Sequence, residues 1–151
     1  MRLPLIASLI MLAGAAPSLA SGGISCTSGT GPAEFDVSAG MARSGHRDLF
    51  GLTGTLKANI PDVDSSLTAL TFSDDTPHQL WLDSGLLFFE LEVEVSGDGQ
   101  YGSSDLVIKT STVEENSFVG RYTFTVTDLG SGGTAVPIQR GISGPVSCWA
   151  E

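Results

Sequence analysis

The sequence predicts an all-β domain, and three observations carry that expectation. Apolar and polar residues alternate at a period of two in one short segment after another, glycines punctuate those segments, and two cysteines near the ends of the chain fit a single staple. Eighteen of the 19 glycines lie after residue 20, about twice the ordinary share for a chain of that length. The preferred architecture is a single antiparallel β-sandwich of seven or eight strands, immunoglobulin-like or jelly-roll-like, with a small β-barrel as the alternative. No repeat with a period of about 20 to 50 residues is visible, which disfavours a propeller or a solenoid.

Residues 1–20 read as a bacterial-type secretory signal peptide. Arg2 supplies a short positive start, Leu3 to Ala16 an apolar run, and Ser18-Leu19-Ala20 a small-x-small cleavage site. Cleavage after Ala20 leaves 131 of the 151 residues as one domain, residues 21–151, expected in the periplasm or outside the cell. No later stretch approaches the length of an apolar membrane span. In an oxidising compartment Cys26 and Cys148 are expected to form a disulfide. The rival, lipidation of Cys26, lacks the leucine expected three positions upstream, where Gly23 stands.

The strands follow in chain order. Ile24 and Cys26 share one parity near the start. Ala33, Phe35, Val37 and Ala39 alternate with Glu34, Asp36 and Ser38, as on a strand with one buried and one wet face. From Leu49 to Ala58, Phe50, Leu52, Leu56 and Ala58 share a side, and Gly51 and Gly54 suggest a bulge or a close backbone approach. Pro61 to Ser66 is turn chemistry, followed by a short strand from Leu67 to Phe72. A short helix is predicted near 75–82, with Asp75 or Thr76 as its cap and Pro77 in its first turn.

The clearest alternation runs from Leu86 to Val95, with Leu87, Phe89, Leu91, Val93 and Val95 on one face and Glu90, Glu92 and Glu94 on the other. Gly97-Asp98-Gly99 turns the chain into a strand from Asp105 to Thr112, on which Lys109 is expected across from Glu90 or Glu92. Glu114-Glu115-Asn116 turns it again, and Phe118 to Thr127 places Tyr122, Phe124 and Val126 on one face. A glycine-rich loop spans 130–133. Pro137 confines 134–140 to an edge or loop. The last strand, Ile142 to Trp149, puts Ile142, Val146 and Cys148 inward and Trp149 outward.

The full chain has a formal charge of −10, and loss of Arg2 makes it −11, six basic residues against 17 acidic. Nucleic acid and anionic membrane are repelled by that sign and are not expected as partners. The glycine spacing of Gly97-Asp98-Gly99-Gln100-Tyr101-Gly102 matches a dinucleotide turn, but strand-forming residues follow it where a helix is required. Asp62, Asp64, Asp74 and Asp75 fall outside any calcium-loop frame and suit turns and caps. The straight row Glu90, Glu92, Glu94, spaced by about 7 Å, does not converge on a cation but can face a basic protein. No metal or other cofactor is expected.

His46 and His78 are the only imidazoles, each with acids nearby in sequence, and no Gly-x-Ser-x-Gly elbow is present. Trp81, Tyr101, Tyr122 and Trp149 are the candidates for an aromatic platform. The leading functional expectation is a non-catalytic exported domain that presents Glu90, Glu92, Glu94 and Trp149 to another envelope or extracellular protein. The alternatives are a module binding a sugar or an apolar molecule, and a secreted hydrolase using His46 or His78 with a nearby carboxylate. No characterised family is recognisable in the chain.

Overall fold

A computed structural model describes residues 22–42, 48–97, 100–130 and 136–151. It contains nine strands: β1 (Gly22–Ser28), β2 (Ala33–Met41), β3 (Leu49–Ala58), β4 (Ala69–Phe72), β5 (His78–Asp83), β6 (Leu86–Gly97), β7 (Gln100–Glu114), β8 (Ser117–Asp128) and β9 (Ile138–Ala150). All pair antiparallel in one curled sheet, in the order β4-β3-β2-β1-β9-β8-β7-β6-β5. The all-β expectation holds. Among the described residues the strand number is nine rather than seven or eight, because His78–Asp83, where a helix is predicted, forms strand β5. Among the described residues no helix is long and apolar enough to cross a membrane.

The core is built by alternation, as the pattern dictates. Val37, Leu56, Phe72, Leu87, Phe89, Leu91, Leu106, Ile108, Tyr122, Phe124 and Val126 are all fully buried on the inner face. Within it, the Tyr122 ring meets the edge of Phe35 at 5.1 Å between centroids. Its hydroxyl accepts the Ala33 amide at 3.0 Å and lies 3.2 Å from the Ala33 carbonyl, to which it donates. A tyrosine can occupy that apolar interior because its polar tip is satisfied.

The sheet joins its two meanders through β1 and β9, with Cys26 directly opposite Cys148. The two sulfurs are bonded, with the α-carbons 4.1 Å apart and 122 positions of chain between them. Both cysteines are buried. Pro137 precedes β9, and the first half of β9, from Ile138 to Val146, pairs with β8 alone, while β1 pairs only from Ser147 to Ala150. The edge-like behaviour inferred from Pro137 is thus local to one half of a strand.

The helix predicted near 75–82 is not formed. His78, Leu80 and Leu82 are half-buried and alternate with exposed Gln79, Trp81 and Asp83 on β5. The cap chemistry is spent on a turn instead: the Ser73 amide donates to the Thr76 hydroxyl at 2.9 Å, and Asp74 accepts the Leu52 amide at 2.6 Å. Pairing of six residues with β6 outweighs the weak local preference for a single helical turn.

Two further placements differ from the sequence reading. Phe50 lies outside, half-exposed over Gly40, because the ladder slips between Ser38 and Gly40 where Gly51 adopts φ 62°. Lys109 stands opposite Phe88 rather than a glutamate. The β6–β7 register pairs Leu91 with Leu106 and Phe89 with Ile108. That register sends Val107 to Glu90 and Asp105 to Glu92.

The connection from β3 to β4 dips into the core. A 3₁₀ turn, Ser65–Leu67, is capped by Asp64, whose side chain accepts the Ser66 amide. The Ser66 hydroxyl, and after it that amide, hold the Asp64 carboxyl below its ordinary value. Leu67 is fully buried, and its carbonyl accepts the hydroxyl of buried Ser104 on β7 at 2.7 Å.

Candidate functional site

The outward face of β5, β6 and β7 holds most of the residues singled out for interaction. Residues of one parity on β6 project there: Leu86, Phe88, Glu90, Glu92 and Glu94. Glu90 is half-buried, whereas Glu92 and Glu94 are exposed. Across from Glu92 the register places Asp105. Partial burial, and secondarily the charge of Glu90, hold the Asp105 carboxyl above its ordinary value. The one cation expected to relieve this row, Lys109, instead lies over the Phe88 ring, 5.7 Å from its centroid.

At the other end of the same face is an apolar groove. Trp81, Leu86, Phe88 and Lys109 line it, and it is an open hollow of about 640 Å³. Trp81 is 69% exposed and Leu86 62%. The hairpin below them is tight: Asp83 pairs with Leu86, and Ser84 and Gly85 between them adopt φ 50° and 79°, as a two-residue primed turn requires. The acidic row was legible in the sequence, but the groove was not read there. Its signal was available in Leu86 and Phe88, apolar residues on the same parity as the glutamates.

Trp149 is outward, as its parity predicted, and 43% exposed. It sits between Ser25 of β1 and Ser117 of β8, three strands away from β6, so it does not join the glutamates in one patch. Of the other aromatics, Tyr101 is exposed and faces Ser96 beyond the acidic end, while Tyr122 belongs to the core. A platform of all four rings is not assembled.

The remaining candidates resolve into structural roles where they are described. His78 Nδ1 contacts the Thr76 carbonyl at 2.8 Å, a backbone partner rather than a carboxylate. His46 lies outside the described residues. Asp64 caps the 3₁₀ turn, Asp74 holds the Leu52 amide, and Asp62 adopts φ 64° in a turn. Among the described residues no three or more of His, Cys, Asp and Glu gather as a metal would require. Gly97 and Gln100 pair across the β6–β7 hairpin, with Asp98 and Gly99 outside the described residues, and strand β7 occupies the place of the helix a dinucleotide turn needs.

No protein-family model matches the chain, and neither a curated protein nor a solved structure matches it.

Proposed function

We propose that the protein is a non-catalytic exported domain that binds a basic envelope or extracellular protein through the outward face of β6 and β7. The observation that carries this reading is the uncompensated acidic row. Glu90, Glu92 and Glu94 stand in line, Asp105 adds a fourth carboxylate opposite Glu92, and the nearby cation is turned onto an aromatic ring. Like charges set directly opposite on a sheet cost stability, and a basic partner would offset that cost. The Cys26–Cys148 bond supports an oxidising destination, in keeping with residues 1–20 as a signal peptide.

The test is crosslinking in intact cells followed by charge reversal. A reproducible partner should be trapped, and Glu90→Lys, Glu92→Lys and Glu94→Lys together should abolish the complex while the far-UV spectrum and urea midpoint are kept. Retention of the complex by the folded triple variant would overturn the reading.

For the architecture we infer a barrel rather than a sandwich. Eight antiparallel steps separate β4 from β5, so the two run in the same direction, joined by the short connection 73–77. One bonds β3 and the other β6, as two halves of a single strand crossing between the sheet's edges. Thr71 of β4 lines a shared groove with Glu92 and Glu94 of β6, which supports closure on that side.

A further inference from the structure

We infer that the partner segment is extended and amphipathic along its length, with apolar side chains at one end, seated against Trp81, Leu86 and Phe88, and basic side chains at alternate positions along Glu90, Glu92 and Glu94. This rests on the acidic-face reading above and adds to it the chemistry and polarity of the occupant.

The groove and the acidic row belong to one surface. Phe88 and Glu90 are adjacent outward positions on β6, and the distance from Phe88 to Glu94 is about 20 Å at the rise of a strand. An extended chain of about six residues spans it, and its own side chains repeat on one face at the same interval. The apolar end is unlike an ordinary surface: two large side chains more than 60% exposed, Trp81 and Leu86, stand beside the Phe88 ring around an open hollow. Burial of one aromatic side chain there supplies apolar contact that charge alone does not.

Charge complementarity fixes the direction. Lys109 stands over Phe88 at the apolar end and repels a cation placed there. Glu90, Glu92, Glu94 and Asp105 attract cations at the other. A segment bearing both kinds of side chain therefore has one favourable orientation. A purely basic segment leaves Trp81 and Leu86 in water, and a purely apolar one leaves the carboxylates unmatched.

The experiment uses three synthetic peptides and the mature domain carrying Trp149→Phe, so that Trp81 is the sole fluorophore of its kind. The probe is acetyl-Phe-Ser-Leu-Ser-Lys-Thr-Lys-Thr-Lys-amide. One control replaces its phenylalanine and leucine by serine, and the other replaces its lysines by glutamate. The probe should bind at least tenfold more tightly than the lysine-only control, shift the Trp81 emission, and lose that advantage in Trp81→Ala. The glutamate control should not bind. Equal affinity of the probe and the lysine-only peptide, or an advantage that survives Trp81→Ala, would sink the inference while leaving the acidic-face reading standing. Failure of both lysine peptides to bind at low salt would sink the two together.

Discussion

Asp105 is where the acidic surface touches the stability of the fold. Its carboxyl is held above the ordinary value of 3.8 by burial and then by Glu90, so folding disfavours its charged form. The folded state then binds more protons than the unfolded one between the two values, and stability falls as pH rises through that interval. Asp105→Asn removes the penalty. The variant should unfold at a higher urea concentration than the parent at pH 7, and the two midpoints should meet below the ordinary carboxylate range. An equal gap at both pH values would mean that the amide, not the lost charge, is responsible. Lys109 belongs to the same account: standing opposite Phe88, it is not available to neutralise the row.

At the scale of elements, the β5–β6 hairpin decides where Trp81 lies. Ser84 and Gly85 both adopt positive φ, and the Gly85 carbonyl accepts the Thr112 amide at 2.8 Å. A β-carbon at Gly85 would meet Thr112 Cγ2 at 3.0 Å. Gly85→Ala should therefore destabilise by about 1 to 2 kcal/mol, the cost of an L-residue in the left-handed region. Ser84→Gly, which relieves the same strain without a new contact, should be neutral or slightly stabilising. Urea denaturation of the two variants checks both signs, and a loss of stability in each would refute the strain argument. The first strand of this hairpin, β5, lies where the sequence predicts a short helix near 75–82. Asp75, Thr76 and Pro77 are good helix-starting residues, and the alternation from His78 to Asp83 is only six residues long. Their preference is local and small, whereas β6 provides a whole partner strand.

For the whole molecule, one covalent bond closes the long loop between the two end strands. In the chain-entropy picture, cross-linking residues 122 positions apart stabilises the fold by about 4 to 5 kcal/mol. Cys26→Ala with Cys148→Ala should lower the free energy of unfolding by up to about that amount. A loss of less than about 1 kcal/mol would mean that the β1–β9 ladder already confines the unfolded chain's ends. The bond also marks the half of the sheet on which Trp149 lies. Trp149 lies beside the disulfide on β9, while the acidic face lies on β6 and β7, so parity alone placed both outside but did not place them together.

The strand faces outside the bulge at Phe50 and strand β5, the inward cysteines, the turns at Gly97 and Asn116 and the row of glutamates were determined by the sequence itself, since each depends on neighbours two to four positions away. The tertiary structure alone decided the register that sets Asp105 against Glu92, the fate of Lys109, the conversion of 78–83 into a strand, and the groove beside Trp81. Those depend on pairings across many residues, where a shift of two positions preserves every inward and outward face. Local alternation is blind to that shift, and only packing of the complete core selects among the alternatives.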